Sequence, residues 1–127
     1  MLLERVDHRA KTMDLVRAMQ ALSIIKERAN AELLKKIRHE INQRLKSSKF
    51  KVIDIMTLMQ AEARFGRFDD VISCQKLITM QPEEVNIKII VNLVETYCQI
   101  KSDHLLPEFK ELILNYVFAN YMSLSFD

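Results

Sequence analysis

The sequence predicts an all-α protein: an α-solenoid of three stacked antiparallel helix hairpins, about six helices in all. Three observations lead there. Apolar residues recur with a helical period almost throughout the chain. The 127 residues include one Gly, two Pro and no Trp, too little turn chemistry for the tight corners of a sandwich or barrel. Finally, short segments repeat at intervals of about 35–40 residues, the mark of a helical array. With 49% hydrophobic and 28% charged residues the chain carries enough apolar material for a core, and it is not a disordered tail. Its length suits one domain, residues 1–127.

The first helix is expected over residues 7–28, with Met13, Val16, Met19 or Ala18, Leu22 and Ile25 on one face. Asn30 is a suitable cap for a second helix that reaches Leu45 through Leu34, Ile37 and Ile41. The polar residues 46–49 break the chain, and a third helix takes Val52, Ile55, Met56, Met59 and Ala63. It stops near Gly66, the only glycine. Asp69 or Asp70 caps the fourth helix, which uses Val71, Cys74, Leu77 and Ile78. Pro82, Glu83 and Glu84 suit the first turn of a fifth helix carrying Ile87, Ile90, Val94 and Tyr97. The β-branched residues there would also fit a strand, but the length and flanks favour helix. The fifth helix ends at Ser102 and Asp103, and Pro107 starts the sixth, with Phe109, Leu112, Ile113, Tyr116, Val117 and Ala119.

These helices pair into hairpins at about 7–45, 50–81 and 83–122, and the hairpins resemble one another. Residues 15–21 (LVRAMQA) match residues 55–61 (IMTLMQA), an offset of 40. Residues 90–96 match 55–61 at an offset of 35, which also carries Gln75, Lys76, Leu77 and Ile78 onto Lys110, Glu111, Leu112 and Ile113. At an offset of 37, Leu34, Ile37 and Ile41 fall on Val71, Cys74 and Ile78. One hairpin cannot bury its apolar face alone, whereas three in a stack share a core; the alternative is an ordinary bundle with fortuitous similarity. Residues 123–127 resemble the lead-in to the third helix at 48–51, so the sequence leads us to expect a piece of a longer array or an array capped by a partner.

The net charge of +2 is unevenly spread. Residues 1–50 hold 12 basic and 6 acidic side chains, and residues 51–127 hold 7 and 11. A basic front half suggests an anionic partner at one end. Two cysteines, Cys74 and Cys98, make no disulfide framework and read as small core residues in a reducing compartment. No apolar run approaches a membrane span, and residues 1–14 carry Glu4, Asp7 and Asp14 instead of a secretory core.

Residues 61–66 (AEARFG), following residues 50–56 (FKVIDIM), resemble the helical-hairpin repeats of organellar RNA proteins. Those are the octatricopeptide and heptatricopeptide arrays and the repeats that precede RAP domains. The resemblance is best over 50–81, weaker over 82–122 and loosest over 13–45, where nothing matches Gly66. It implies a module that contacts RNA in an organellar ribonucleoprotein, for example a mitochondrial ribosome or an RNA-processing complex, and a location in the mitochondrial or another organellar matrix, the alternative being the cytoplasm. In such arrays polar positions of each first helix meet nucleotides. The matching columns here are Arg17, Thr57 and Asn92, and Gln20, Gln60 and Glu95, of which Glu95 fits poorly because a carboxylate repels phosphate.

On the second helix, Lys35, Arg38, His39, Asn42, Lys46 and Lys49 project to one side if Leu34, Ile37 and Ile41 face the core. That stripe is either a phosphate-tracking surface or a solvated face. Catalytic constellations are missing. Gln43 stands where a zinc-protease motif needs its second His, and His8, His39 and His104 are far apart. A single Gly supplies no phosphate-cradling loop, and no Ser or Cys has the context of a nucleophile. The expectation is a non-enzyme without metal, cofactor or small-molecule substrate. It would bind RNA through Lys35, Arg38, Lys46, Lys49, Arg17, Gln20, Thr57, Gln60 and Asn92, beside neighbouring proteins of a larger assembly. The rival is a protein-interaction scaffold, adaptor or chaperone of the helical-repeat type.

Overall fold

Each predicted punctuation mark acts on the backbone in its own way in the computed structural model, which describes residues 11–25, 31–47, 50–100 and 102–124. Among the described residues there are six α-helices: α1 Thr12–Ile24, α2 Ala31–Ser47, α3 Val52–Phe65, α4 Phe68–Thr79, α5 Ile87–Gln99 and α6 Pro107–Leu124. Two 3₁₀ turns, Pro82–Glu84 and Ser102–His104, precede α5 and α6. No strand occurs among the described residues, and the β-branched segment after Asn86 is helical. No helix there is long and apolar enough to cross a membrane.

Gly66 ends α3 in the left-handed region, at φ 76°. Its amide donates to the Ala63 carbonyl and the Arg67 amide to the Glu62 carbonyl at 2.9 Å, the two bonds of a Schellman stop. Arg67, not an acid, then occupies the cap position of α4, and Asp69 and Asp70 sit inside its first turn, where the helix dipole favours them. Pro82 and the two glutamates do not open α5 either. They form the separate 3₁₀ turn, and Asn86 caps α5 by accepting from the Ile89 amide at 3.0 Å. Glu84 reaches back instead, its Oε1 accepting from the Val52 amide at the start of α3.

The core gathers Leu15, Val16 and Met19 of α1, Ile37 and Ile41 of α2, Val71, Cys74 and Ile78 of α4, and Phe109 and Ile113 of α6 around α3. Each fully buried Ile, Met or Phe contributes about 2 kcal/mol relative to an exposed one. The α3 helix is buried on two flanks, through Ile55 and Leu58 on one and Val52, Met56 and Met59 on the other, because it has neighbours on both sides. The main packing partners are α1 with α3, α3 with α4, and α1 with α2; α4 with α6, α5 with α6 and α3 with α5 follow. Helices thus pack on the next helix or the next but one, which is consistent with hairpins laid side by side.

Some expected core positions turn outward. Met13, Ile25, Val94 and Ala119 are exposed, and Leu15 replaces Met13 in the core, so the buried face of α1 centres on Val16 and Met19. Cys98 is exposed, unlike Cys74. The expected cap Asn30 and the side chain of Tyr97 lie outside what is described, as do His8 and Lys49.

Candidate functional site

Among the described residues two surfaces stand out once the core is set. The first is a cleft of about 430 Å³ between α2 and α4, floored by Met19, Leu58 and Cys74. Asn42 and Lys46 line it from α2, Ser73 and Lys76 from α4. At its base Glu62, on α3, is only 3% exposed. Arg38 holds it with two donors: Nη2 to Oε1 at 2.8 Å and Nε to Oε2 at 3.1 Å. The same guanidinium lies over the Phe65 ring, 4.9 Å from its centroid. Arg67 adds a looser contact to Glu62 at 3.6 Å and donates to Asp70 Oδ2 at 2.8 Å.

This cluster divides the two carboxyls. Burial pushes Glu62 above the usual glutamate range, against the hydrogen bonds from Arg38, and its contact with Asp70 adds to the rise. For Asp70 burial acts upward as well, but the hydrogen bonds with Glu62 and Arg67, together with the charges of Arg67 and Arg38, outweigh it and hold the group below its ordinary value. Burial also pushes the Cys74 thiol up, and the charges of Glu62 and Asp70 push it further, which disfavours the thiolate form. Among the described residues no group of three His, Cys, Asp or Glu side chains is placed to hold a metal.

The sequence-predicted residues separate into groups. Lys35 and Lys46 are exposed on α2, whereas Arg38 on the same helix is turned to Glu62. Arg17 is exposed on α1, near Asp54, whose carboxyl burial raises against the charges of Lys51 and Arg17. Gln20 is half-buried on α1. Thr57 and Asn92 donate to the carbonyls of Ile53 and Lys88 in their own helices. Gln60 donates to Thr96 Oγ1 of α5 at 2.8 Å, which makes it a link between the second and third hairpins. Arg64 likewise reaches Ser23 of α1 at 3.2 Å. Sequence reasoning missed Glu62 and Gln75. Gln75 is fully buried, donates to the His104 carbonyl at 2.6 Å and accepts from the Leu106 amide at 2.8 Å, tying the α5–α6 connection to α4. The only signal for either was a polar residue at an apolar helical position.

The second surface is apolar and lies on the third hairpin. The bond from Gln60 to Thr96 identifies the flank of α3 that faces α5. Met56 and Met59 on that side are buried, as are their α1 counterparts Val16 and Met19. The matching residues of α5, Val91 and Val94, are 50% and 39% exposed, and Ile87, which matches the buried Val52, is 46% exposed. On α6, Leu114 and Phe118 are exposed too. By the repeat offsets they stand where α2 has Asn42 and Lys46, the residues that face α4 across the cleft. By these offsets the apolar set corresponds to the side on which a further hairpin would stack, the leading face of the third hairpin.

No protein-family model, curated protein or solved structure matches the chain.

Proposed function

We propose that this chain is a non-catalytic helical-repeat module that assembles with protein through the leading face of its third hairpin. One observation carries the reading: columns buried in the first two hairpins are solvent-facing in the third. A set of large apolar side chains at stacking positions is what a partner helix or hairpin needs, with anchors at i, i+4 and i+7 along α5. The test is affinity purification of the tagged chain with quantitative mass spectrometry, comparing the native sequence with Val91→Asp. The expected result is loss of specific protein partners with unchanged helicity by circular dichroism. An unchanged partner set would overturn the reading.

A second reading, contact with RNA inside an organellar ribonucleoprotein, has its own support in Lys46 and Lys76, which line the cleft from opposite helices, with Lys35 exposed on α2. Arg38 is left out of this set because it neutralises Glu62. Three lysines on single-stranded phosphate would give a log–log salt slope of about −2. Changing Lys35, Lys46 and Lys76 to Glu would abolish such binding, and RNA affinity indifferent to salt and to these changes would reject it.

A further inference from the structure

We propose that the leading face of the third hairpin pairs with the same face of a second copy of this chain, α5 against α5 in antiparallel register around a two-fold axis. The inference rests on the protein-interaction reading above and specifies the partner. The chain already uses this flank for stacking: Val16 and Met19 in the first hairpin and Met56 and Met59 in the second are covered. A second copy would extend the same kind of contact over Ile87, Val91 and Val94, with Leu114 and Phe118 beside them.

Charge complementarity selects a second copy as the occupant. At the column where the first two hairpins carry Gln20 and Gln60, α5 carries Glu95, and two turns earlier on the same flank stands Lys88. Both side chains are exposed, and neither has an ion-pair partner among the described residues. A two-fold axis perpendicular to two helices reverses their direction and brings a flank against itself. With the axis passing between Val91 and Asn92, Lys88 of each copy meets Glu95 of the other, so the contact is made twice. A parallel or shifted pairing would set like charges together or leave both unpaired beside an apolar seam. Asn92 lies at the centre with its amide tied to the Lys88 carbonyl and so adds no competing charge.

The experiment is sedimentation velocity of the purified full chain across a concentration series at low salt. The native sequence should show a monomer–dimer equilibrium. Lys88→Glu and Glu95→Lys should each weaken it about tenfold or more, and the double exchange Lys88→Glu/Glu95→Lys should restore it, since reversed charges still pair across a two-fold axis. Circular dichroism of each variant checks that the helices persist. A native chain that stays monomeric at every concentration overturns the second copy, and so does a dimer that ignores both reversals or that the double exchange fails to restore. If that monomer still captures other proteins in a Val91-dependent way, the broader reading survives while this one fails. Loss of both sinks both.

Discussion

Arg38 and Glu62 show how a residue's role is decided by a neighbour from another helix. The spacing of α2 places Arg38 beside Lys35 and Lys46, and that much is legible in the sequence. It does not reveal that a carboxylate 24 residues later, on a core position of α3, draws the guanidinium inward. Glu62→Ala would leave Arg38, 17% exposed, without its counter-charge, at a cost of about 3 kcal/mol in urea unfolding. The pH dependence has a definite sign. Burial raises the Glu62 pKa on folding, so the folded chain holds a proton that the unfolded chain releases, and this contribution to stability declines as the pH rises above 4.5. Asp70 behaves oppositely: its lowered value gives stability above 3.8 that is lost as the pH falls. Glu62→Gln should therefore flatten the decline of stability above pH 4.5 and leave the acid limb in place. Parallel profiles for the two proteins would show that Glu62 does not titrate differently on folding.

At the level of elements, boundaries set by backbone constraints could be read from the sequence, and those set by side-chain hydrogen bonds could not. Gly66 and Pro107 stop and start helices where expected, because one tolerates a left-handed residue and the other fits a first helical turn. The start of α5 is displaced from Pro82 to Ile87. A 3₁₀ turn absorbs the proline, Glu84 serves α3, and Asn86 is the residue whose side chain bonds the third helical amide. These caps give two further expectations. Gly66→Ala should cost about 1 kcal/mol from the left-handed backbone alone, since an added Cβ would meet no atom within 4 Å. Asn86→Ala should cost about 1 kcal/mol and raise hydrogen exchange in the first turn of α5, with α3 unchanged. Equal exchange in both variants and the native chain would mean that neither cap limits fraying.

For the whole molecule, the packing of each helix on the next or the next but one is consistent with the stacking that the sequence repeat predicts, in which a recurring apolar column needs a recurring surface to cover it. What the repeat leaves open is whether each column is covered in every copy, since identical spacing serves a buried row in α3 and an exposed one in α5. Adjacent residues separate the two cases. Ile90 is 2% exposed on the side of α5 turned to the core, and Val91 is half exposed on the leading face. Ile90→Asp would bury an unpaired carboxylate and should cost more than about 4 kcal/mol, enough to unfold the chain. Val91→Asp places the same charge one residue on, in water, and should change unfolding stability by about 0.5 kcal/mol or less while removing any association through that face. Circular dichroism melts of the two variants check this directly. A Val91→Asp chain that unfolds would mean the face is covered within the monomer. A stable Ile90→Asp chain would mean that α5 is rotated and its two flanks exchanged. Only a cooperative, native-like melt for the first and loss of helicity for the second fit a third hairpin stacked on one side and open on the other.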